Sequence, residues 1–416
     1  MTDDIFSLDV PVVEHSIIKV IGVGGGGSNA VNHMYRQGIK DVDFVICNTD
    51  AQALIESPIP NKIQLGKSLT QGLGAGNKPE RGKEAAIESL EEIRALLSQG
   101  TKMAFITVGM GGGTGTGAAP IVAEAAKDLG ILTVGIVTIP FKFEGKRRIM
   151  QAVDGINNLK KHVDSLLVIN NERLREIYGN SELTNAYAHA DNILTVAAKG
   201  IAEIITVHGH MNVDFADVNT VMSESGVALM GTGKAQGDHR ALQAIKEALT
   251  SPLLSNNNIK GAKNILLNVT SGEKEITMDE IGIISDYVQD IAGHSADIIL
   301  GTGNDITLGE NVSVTIIATG FSENSIPELV AHKNGDQPQT KEMELVLEED
   351  EHDNPLDPKE EAVRHIYGEN VGKDIQLDID EIELNKSKIT DLSDPSHANT
   401  IDEMYNVPAY LRKKKQ

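Results

Sequence analysis

From Ile17 onward, short apolar runs alternate with longer stretches in which apolar residues recur every three or four positions. IIKVIGV (Ile17 to Val23), DFVICN (Asp43 to Asn48), MAFITV (from Met103), ILTVGIVTIP (Ile131 to Pro140) and SLLVIN (Ser165 to Asn170) read as buried strands. The helical stretches between them begin near Ser28, run from Pro79 to Ser98 with Pro79 in the first turn, follow the glycine run at Gly111 to Gly117, and resume after Lys146. Repeated strand–helix units predict a mostly parallel sheet with helices on both faces.

A single helical pattern then covers roughly Asn185 to His208, with Ile193, Ala197, Ile201, Ile204 and His208 at helical spacing. Such a helix is placed to run through the middle of the molecule and join two domains. The second domain has strand-like VALMGTG, NILLNVTSG, ADIILGTG and VSVTIIATG, and helix-like DHRALQAIKEAL and TMDEIGIISDYVQDIAG. The last opens with a capping-box pattern, Thr277 to Glu280. The order is mixed α/β. The pattern thus divides the chain into an N-terminal arm (1–15), an α/β domain with a parallel sheet (16–187), a central helix (188–211) and a smaller mixed α/β domain (212–332).

Past Lys333 the periodicity fades. Lys333 to Leu411 carries 7 basic and 21 acidic residues, a net of −14 in a chain whose formal charge is −23. Self-repulsion and few apolar residues predict a disordered acidic linker over 333–399. As a flexible coil its span is roughly 45 Å, more with charge repulsion. The chain then changes character: TIDEMYNVPAYLRKKKQ (400–416) sets apolar Met404, Tyr405, Val407, Tyr410 and Leu411 ahead of four consecutive bases. Apolar anchors on a tether predict a partner-binding peptide, against the alternative of a solvated tail.

Composition narrows the class further. The overall acidity argues against nucleic acid as a partner, because docking on phosphates needs a basic face. The single cysteine, Cys47, sits in an apolar strand and suits a reducing compartment. The acidic N-terminus is not a secretory signal, and no run approaches the ~18 apolar residues of a membrane span. A cytoplasmic protein without direct membrane insertion is expected.

Candidate chemistry concentrates in five motifs. GGGTGTG (Gly111 to Gly117) lies between a strand and a helix, where bare backbone N–H groups and a helix start favour phosphate. No Walker A lysine accompanies it. GVGGGGSNAVNHM satisfies G-x-G-x-x-G through Gly22, Gly24 and Gly27, with Asp50 some way on, as in dinucleotide-binding folds. A second phosphate loop, and the flexible turn GLGAGNKPE (Gly72 to Glu80), suit a polyphosphate tail better than one pyrophosphate. TIPFKFEGKRR ends a strand with Glu144 and Arg148, which are placed to meet a sugar and a phosphate or simply to face solvent. NVDFADVNTVM brings Asn212, Asp214 and Asp217 together at the far end of the central helix, ~30 Å of helical rise from the phosphate loops. These acids either polarise a water or cap the next helix; acting on a neighbouring subunit's nucleotide would remove the difficulty of distance. His208 and His210 flank a glycine there, and no metal site is expected of them.

GGGTGTGAAP resembles the signature of the tubulin/FtsZ superfamily. GVGGGGSNAVN, NTD (Asn48 to Asp50), TIPFKFEGKRR and NVDFADV are similar, in order and spacing, to the superfamily's bacterial cell-division branch. The likeness runs from about Ile17 to Phe321 and resumes at NVPAYLRK. It implies a Rossmann-like GTPase domain, a central helix and a C-terminal activation domain. It further implies that Gly25, Gly26, Gly27, Ser28 and Asn29, with Gly76 and with Gly112, Gly113, Thr114, Gly115, Thr116 and Gly117, hold the phosphates of GTP or GDP. Glu144 would meet the ribose, with Arg148 beside it. Asn171 and Asp191 would read guanine, and Tyr187, where the family commonly has phenylalanine, would stack on it. Asn212, Asp214 and Asp217 would enter the next subunit's site in a head-to-tail polymer, with Mg²⁺ offsetting the triphosphate charge. The tail, through Val407, Pro408, Tyr410 and Leu411, would bind membrane adaptors and division regulators at mid-cell. Asn219 and Asn170 depart from the family's usual basic residue and proline.

Overall fold

The computed structural model describes residues 16–39, 41–179, 182–206, 210–251 and 259–321. The N-terminal arm, the acidic linker, the terminal peptide, His208 and the last residues expected in the second domain lie outside the described residues.

Seven parallel strands form the first sheet: β1 (Ile18–Val23), β2 (Asp43–Asn48), β3 (Asn61–Gln64), β4 (Met103–Gly109), β5 (Leu132–Ile139), β6 (Ser165–Asn170) and β7 (Gly226–Val227). Their spatial order is β3-β2-β1-β4-β5-β6-β7. From β1 the chain builds outward in one direction, then crosses to β4 and builds in the other. β1 and β4 pair in register from Ile18 opposite Met103 to Val23 opposite Val108. The order reverses between them, which opens a crevice at their carboxyl ends.

The helices that cover this sheet are α1 (Gly24–Gln37), α2 (Ala51–Glu56), α3 (Lys67–Thr70), α4 (Pro79–Glu88), α5 (Leu90–Leu97), α6 (Gly113–Asp128), α7 (Lys146–Leu159) and α8 (Asn171–Tyr178). The helix expected from Pro79 to Ser98 is two helices. Ser89 breaks it at φ −100° and ψ 14°, and its hydroxyl oxygen accepts the Gly66 N–H at 3.0 Å. α2, α3, β3 and α8 are too short for periodicity to reveal.

α9 (Leu183–Thr206) is the central helix. Ile193, Leu194, Ala197, Ala198 and Ile201 share one core cluster with Val20 and Phe105 of the first sheet and with Met230, Leu266 and Ile317 of the second. At Gly200 the helix packs closely on the second sheet: an added Cβ would stand 2.5 Å from the Met230 Cε, which would have to move aside. Burial of this kind, at about 25 cal/mol per Å² of apolar surface, makes the helix part of both halves.

α10 (Phe215–Met222) follows, then the second sheet: β8 (Leu229–Ala235), β9 (Asn264–Ser271), β10 (Asp297–Asn304) and β11 (Val312–Thr319). Its order is β10-β9-β11-β8, with β9 and β10 parallel and β11 antiparallel to both its neighbours. VALMGTG, which reads as one strand, is divided: Gly226 and Val227 add the edge strand β7 beside β6, and β8 begins after Ala228. α11 (Arg240–Leu249) and α12 (Met278–Ala292) cover the outer face. Arg240, buried, pins them together. Its Nε and Nη2 donate to both oxygens of Glu280, and Nη1 and Nη2 donate to the carbonyls of Lys274, Glu310 and Glu275. That guanidinium holds the Glu280 carboxyl down at about 2.

Candidate functional site

α1 and α6 start at the crevice, directly after β1 and β4. Neither has a side-chain cap, and neither has an acid in its first turn. By contrast Asp50, Asn170, Asp214 and Thr277 cap α2, α8, α10 and α12 through their side chains. Two helix starts with uncapped N–H groups therefore face one crevice, an arrangement that favours an anion. Asp50, the acid that a dinucleotide fingerprint would direct at a ribose, instead accepts the N–H groups of Gln52 and Ala53 at 2.9 and 3.2 Å.

The glycines of these loops do two different jobs. At Gly25 and Gly112 an added Cβ would meet nothing within 4 Å, so their backbone stands open to the crevice. At Gly27 it would lie 2.2 Å from the Thr107 carbonyl oxygen, and at Gly117 1.9 Å from that of Pro79. Those two allow backbone to pack on backbone and stand outside the lining of the crevice. Gly113 brings in the third loop, since its Cβ would meet the Lys78 nitrogen at 2.7 Å.

The crevice encloses about 470 Å³, within the usual range for small-molecule sites. Gly25, Gly26 and Asn29 line it from the first loop, and Gly112, Gly113, Thr114 and Gly115 from the second. Glu144, Arg148, Asn171, Tyr187 and Asp191 line the rest. Ser28, Gly76 and Thr116 do not. Ser28 is buried, and its hydroxyl has no hydrogen-bond partner among the described residues. The Thr116 hydroxyl oxygen accepts the Gly111 N–H at 2.9 Å and so shapes the loop from behind. Thr114 and Thr49 share a hydroxyl–hydroxyl bond of 2.6 Å.

At the far end α8 and α9 supply polar groups. Asn171 is buried, and its Oδ1 has no hydrogen-bond partner among the described residues. An orphaned amide oxygen in a crevice wall calls for a ligand donor. Asp191 is pushed up to about 7 by burial. Desolvation leads the shift at Tyr187 too, raising its phenol above the ordinary range, with the Glu144 charge adding to it. Glu144 is held twice: Oε1 accepts the Phe141 N–H at 3.0 Å and Oε2 accepts Arg148 Nη1 at 2.8 Å. The Tyr187 ring meets the buried Phe141 ring edge-on at 5.5 Å.

Sequence reasoning missed Thr138, Pro140, Ala190 and Leu194, which also line the crevice. A signal for the last two was present. Tyr187, Ala190, Asp191 and Leu194 fall at helical spacing and so share one face of α9.

Asn212, Asp214 and Asp217 are not part of the crevice lining. Asn212 and Asp214 precede α10 and Asp217 lies in its first turn, on a segment tied to β10, where Thr302 accepts the Met211 N–H through its hydroxyl and donates its own N–H to the Met211 carbonyl. Val213 is buried in a notch that Gly301 leaves open. Asp214 and Asp217 form a reciprocal cap on α10: Asp214 Oδ1 accepts the Asp217 N–H at 2.9 Å, and Asp217 Oδ2 accepts the Asp214 N–H at 3.1 Å. The capping alternative is therefore realised, yet Asp214 remains exposed to solvent and Asp217 half-buried. No three His, Cys, Asp or Glu side chains gather into a metal site among the described residues.

Residues 17–179 match the model of the "Tubulin/FtsZ family, GTPase domain", and residues 226–322 that of the "FtsZ family, C-terminal domain". The chain is 51% identical over 316 residues to the cell division protein FtsZ of Porphyromonas gingivalis, covering 76% of this chain and 69% of that protein. Against the FtsZ of Wigglesworthia glossinidia brevipalpis the identity is 46% over 321 residues, covering 77% and 83%. Among solved structures, an empty FtsZ dimer from M. jannaschii superposes with a TM-score of 0.69 at 45% identity, covering 74% of this chain and 88% of that one.

Proposed function

The chain belongs to the tubulin/FtsZ family and is a GTPase of cell division, and from that premise we propose that its active site is completed between subunits of a head-to-tail polymer. The observation that carries this reading is a separation. The phosphate-type helix starts and the base-type polar groups share one crevice, while the carboxylates of exposed Asp214 and half-buried Asp217 lie outside it.

The backbone of Gly25, Gly26 and Gly112 to Gly115, with the Asn29 and Thr114 side chains, takes the phosphates. Charge-assisted N–H bonds to phosphate oxygens are the strong kind, and the two helix starts add to them. Gly27, Ser28, Thr116 and Gly117 stand behind these loops. Glu144 accepts a ribose hydroxyl, and Arg148 offsets the carboxylate and the nearby phosphates. Guanine stacks on Tyr187. Its ring N–H and exocyclic amine donate to the Asp191 carboxylate, beside Asn171, whose Oδ1 has no partner among the described residues and also faces the base.

Mg²⁺ fits this donor set only as a companion of the nucleotide. Among the described residues no carboxylate cluster would hold it, so phosphate oxygens and waters, with the Thr114 hydroxyl, would be its ligands, as suits an ion that sheds water reluctantly. When bound, it offsets the negative charge of the triphosphate.

A second subunit stacks its α9–α10 segment over the crevice. Asn212, Asp214 and Asp217 then orient the attacking water, supplied in trans as arginine fingers are in other GTPases, though here as carboxylates and an amide. The interface is heterologous and does not close, so it propagates as a filament, the expected material of the cytokinetic ring. An empty FtsZ dimer is known from M. jannaschii, and self-association of that kind supports the reading. Among the described residues no helix is long and apolar enough to cross a membrane. A cytoplasmic filament at mid-cell, tethered through the acidic linker and the 400–416 peptide to a membrane adaptor, is the arrangement that this and the sequence support. The test is Asp214→Ala. It keeps GTP affinity within about twofold and loses turnover by about a hundredfold, the scale of a positioned catalytic group. Normal turnover, or loss of GTP binding, contradicts the assignment.

A further inference from the structure

A second cavity, of about 170 Å³, lies behind the base end of the nucleotide crevice. The buried ring of Phe141 separates the two, since it lines this cavity and touches Tyr187, which lines the other. Two parallel aromatic pairs stand at the second cavity. Phe141 and Phe143 are stacked at 5.0 Å and 14°, and Tyr178 and His189 at 4.1 Å and 9°. Phe143 and Tyr178 are exposed large rings. Arg175 also lines the cavity, and its Nη1 donates to Glu172 at 2.8 Å.

We propose that this cavity binds a single-ring aromatic carboxylate. The size sets one limit, because a cavity of about 150 Å³ holds one benzene ring. Flat aromatic walls set another, favouring a planar ring that offset-stacks or meets an edge. The guanidinium supplies the polar end, since Arg recognises carboxylate through parallel N–H bonds. The site is distinct from the nucleotide crevice and rests on its own geometry.

The experiment follows 4-fluorobenzoate by ¹⁹F NMR, with the full chain held in saturating GDP so that the nucleotide crevice is blocked. Wild-type protein is expected to give a saturable shift. Ala186→Leu, which fills the cavity from α9, is expected to abolish it while GDP affinity stays unchanged, showing that the variant is folded. Arg175→Gln is expected to weaken binding about tenfold, the scale of one lost charge-assisted hydrogen bond. No saturable shift in wild-type protein, or an undiminished one in Ala186→Leu, overturns the site. Equal binding of neutral 4-fluorotoluene, or an unchanged affinity in Arg175→Gln, overturns the carboxylate class. A titration without GDP separates a failure here from a failure of the nucleotide assignment, because Ala186→Leu still reads the second cavity alone.

Discussion

Asp191 is the residue whose chemistry the pH scale reads most directly. Burial lifts its carboxyl from an ordinary value of 3.8 to about 7 in the unliganded protein. Guanine offers two donors, which a carboxylate accepts and a carboxylic acid cannot accept together. On the proposed guanine contact, binding therefore selects the ionised form. Each pH unit below 7 costs about 1.4 kcal/mol of binding, or about tenfold in affinity. Between pH 8 and pH 6 the GDP dissociation constant is expected to rise about tenfold, and above pH 8 to stay flat. The sign for folding is opposite. A raised carboxyl favours the unliganded fold most below 3.8, where it is protonated in both states, and that contribution is lost as pH rises through about 7. Titration calorimetry in two buffers of different ionisation enthalpy measures affinity and proton release together. Near pH 6.5 a released proton is expected on GDP binding. In Asp191→Asn both the proton release and the pH dependence over this range are expected to vanish, along with much of the affinity. A flat affinity in wild-type protein between pH 6 and 8, or an undiminished pH dependence in Asp191→Asn, refutes the argument.

The loop glycines separate by the same reasoning. Gly27→Ala drives a Cβ to 2.2 Å from the Thr107 oxygen and is expected to lower the melting temperature by several degrees, whereas Gly25→Ala has space and is expected to fold normally but bind GDP more weakly; equal melting points for the two variants contradict this division. Deleting Thr400 to Gln416 is expected to leave GTP-dependent sedimentation intact and to remove adaptor binding in a pull-down. A truncated chain that no longer sediments with GTP contradicts the tether model.

The parallel sheet was legible because its strands are apolar on both faces. DFVICN and SLLVIN coincide with β2 and β6 to the residue. Short elements such as α3 and α8 span too few turns to display a period. The break at Ser89 depends on a hydrogen bond to Gly66, distant in sequence, and the division of VALMGTG on a tertiary choice of sheet partner. At the site, the glycine runs announced an anion-binding place, but sequence cannot tell an open glycine such as Gly25 from a packing one such as Gly27. That difference is set by the β4 carbonyl across the sheet. The caps were equally ambiguous. Asp214 and Asp217 share the capping geometry while Asp214 stays exposed and Asp217 half-buried, and one role does not exclude the other.

The shared active site is tested most directly by GTP turnover per subunit as a function of protein concentration. At saturating GTP, specific activity is expected to fall steeply on dilution below the polymerisation range and to approach zero for isolated subunits, whose crevices still bind nucleotide but lack the neighbour's Asp214 and Asp217. A specific activity that stays constant down to dilute monomer contradicts the account.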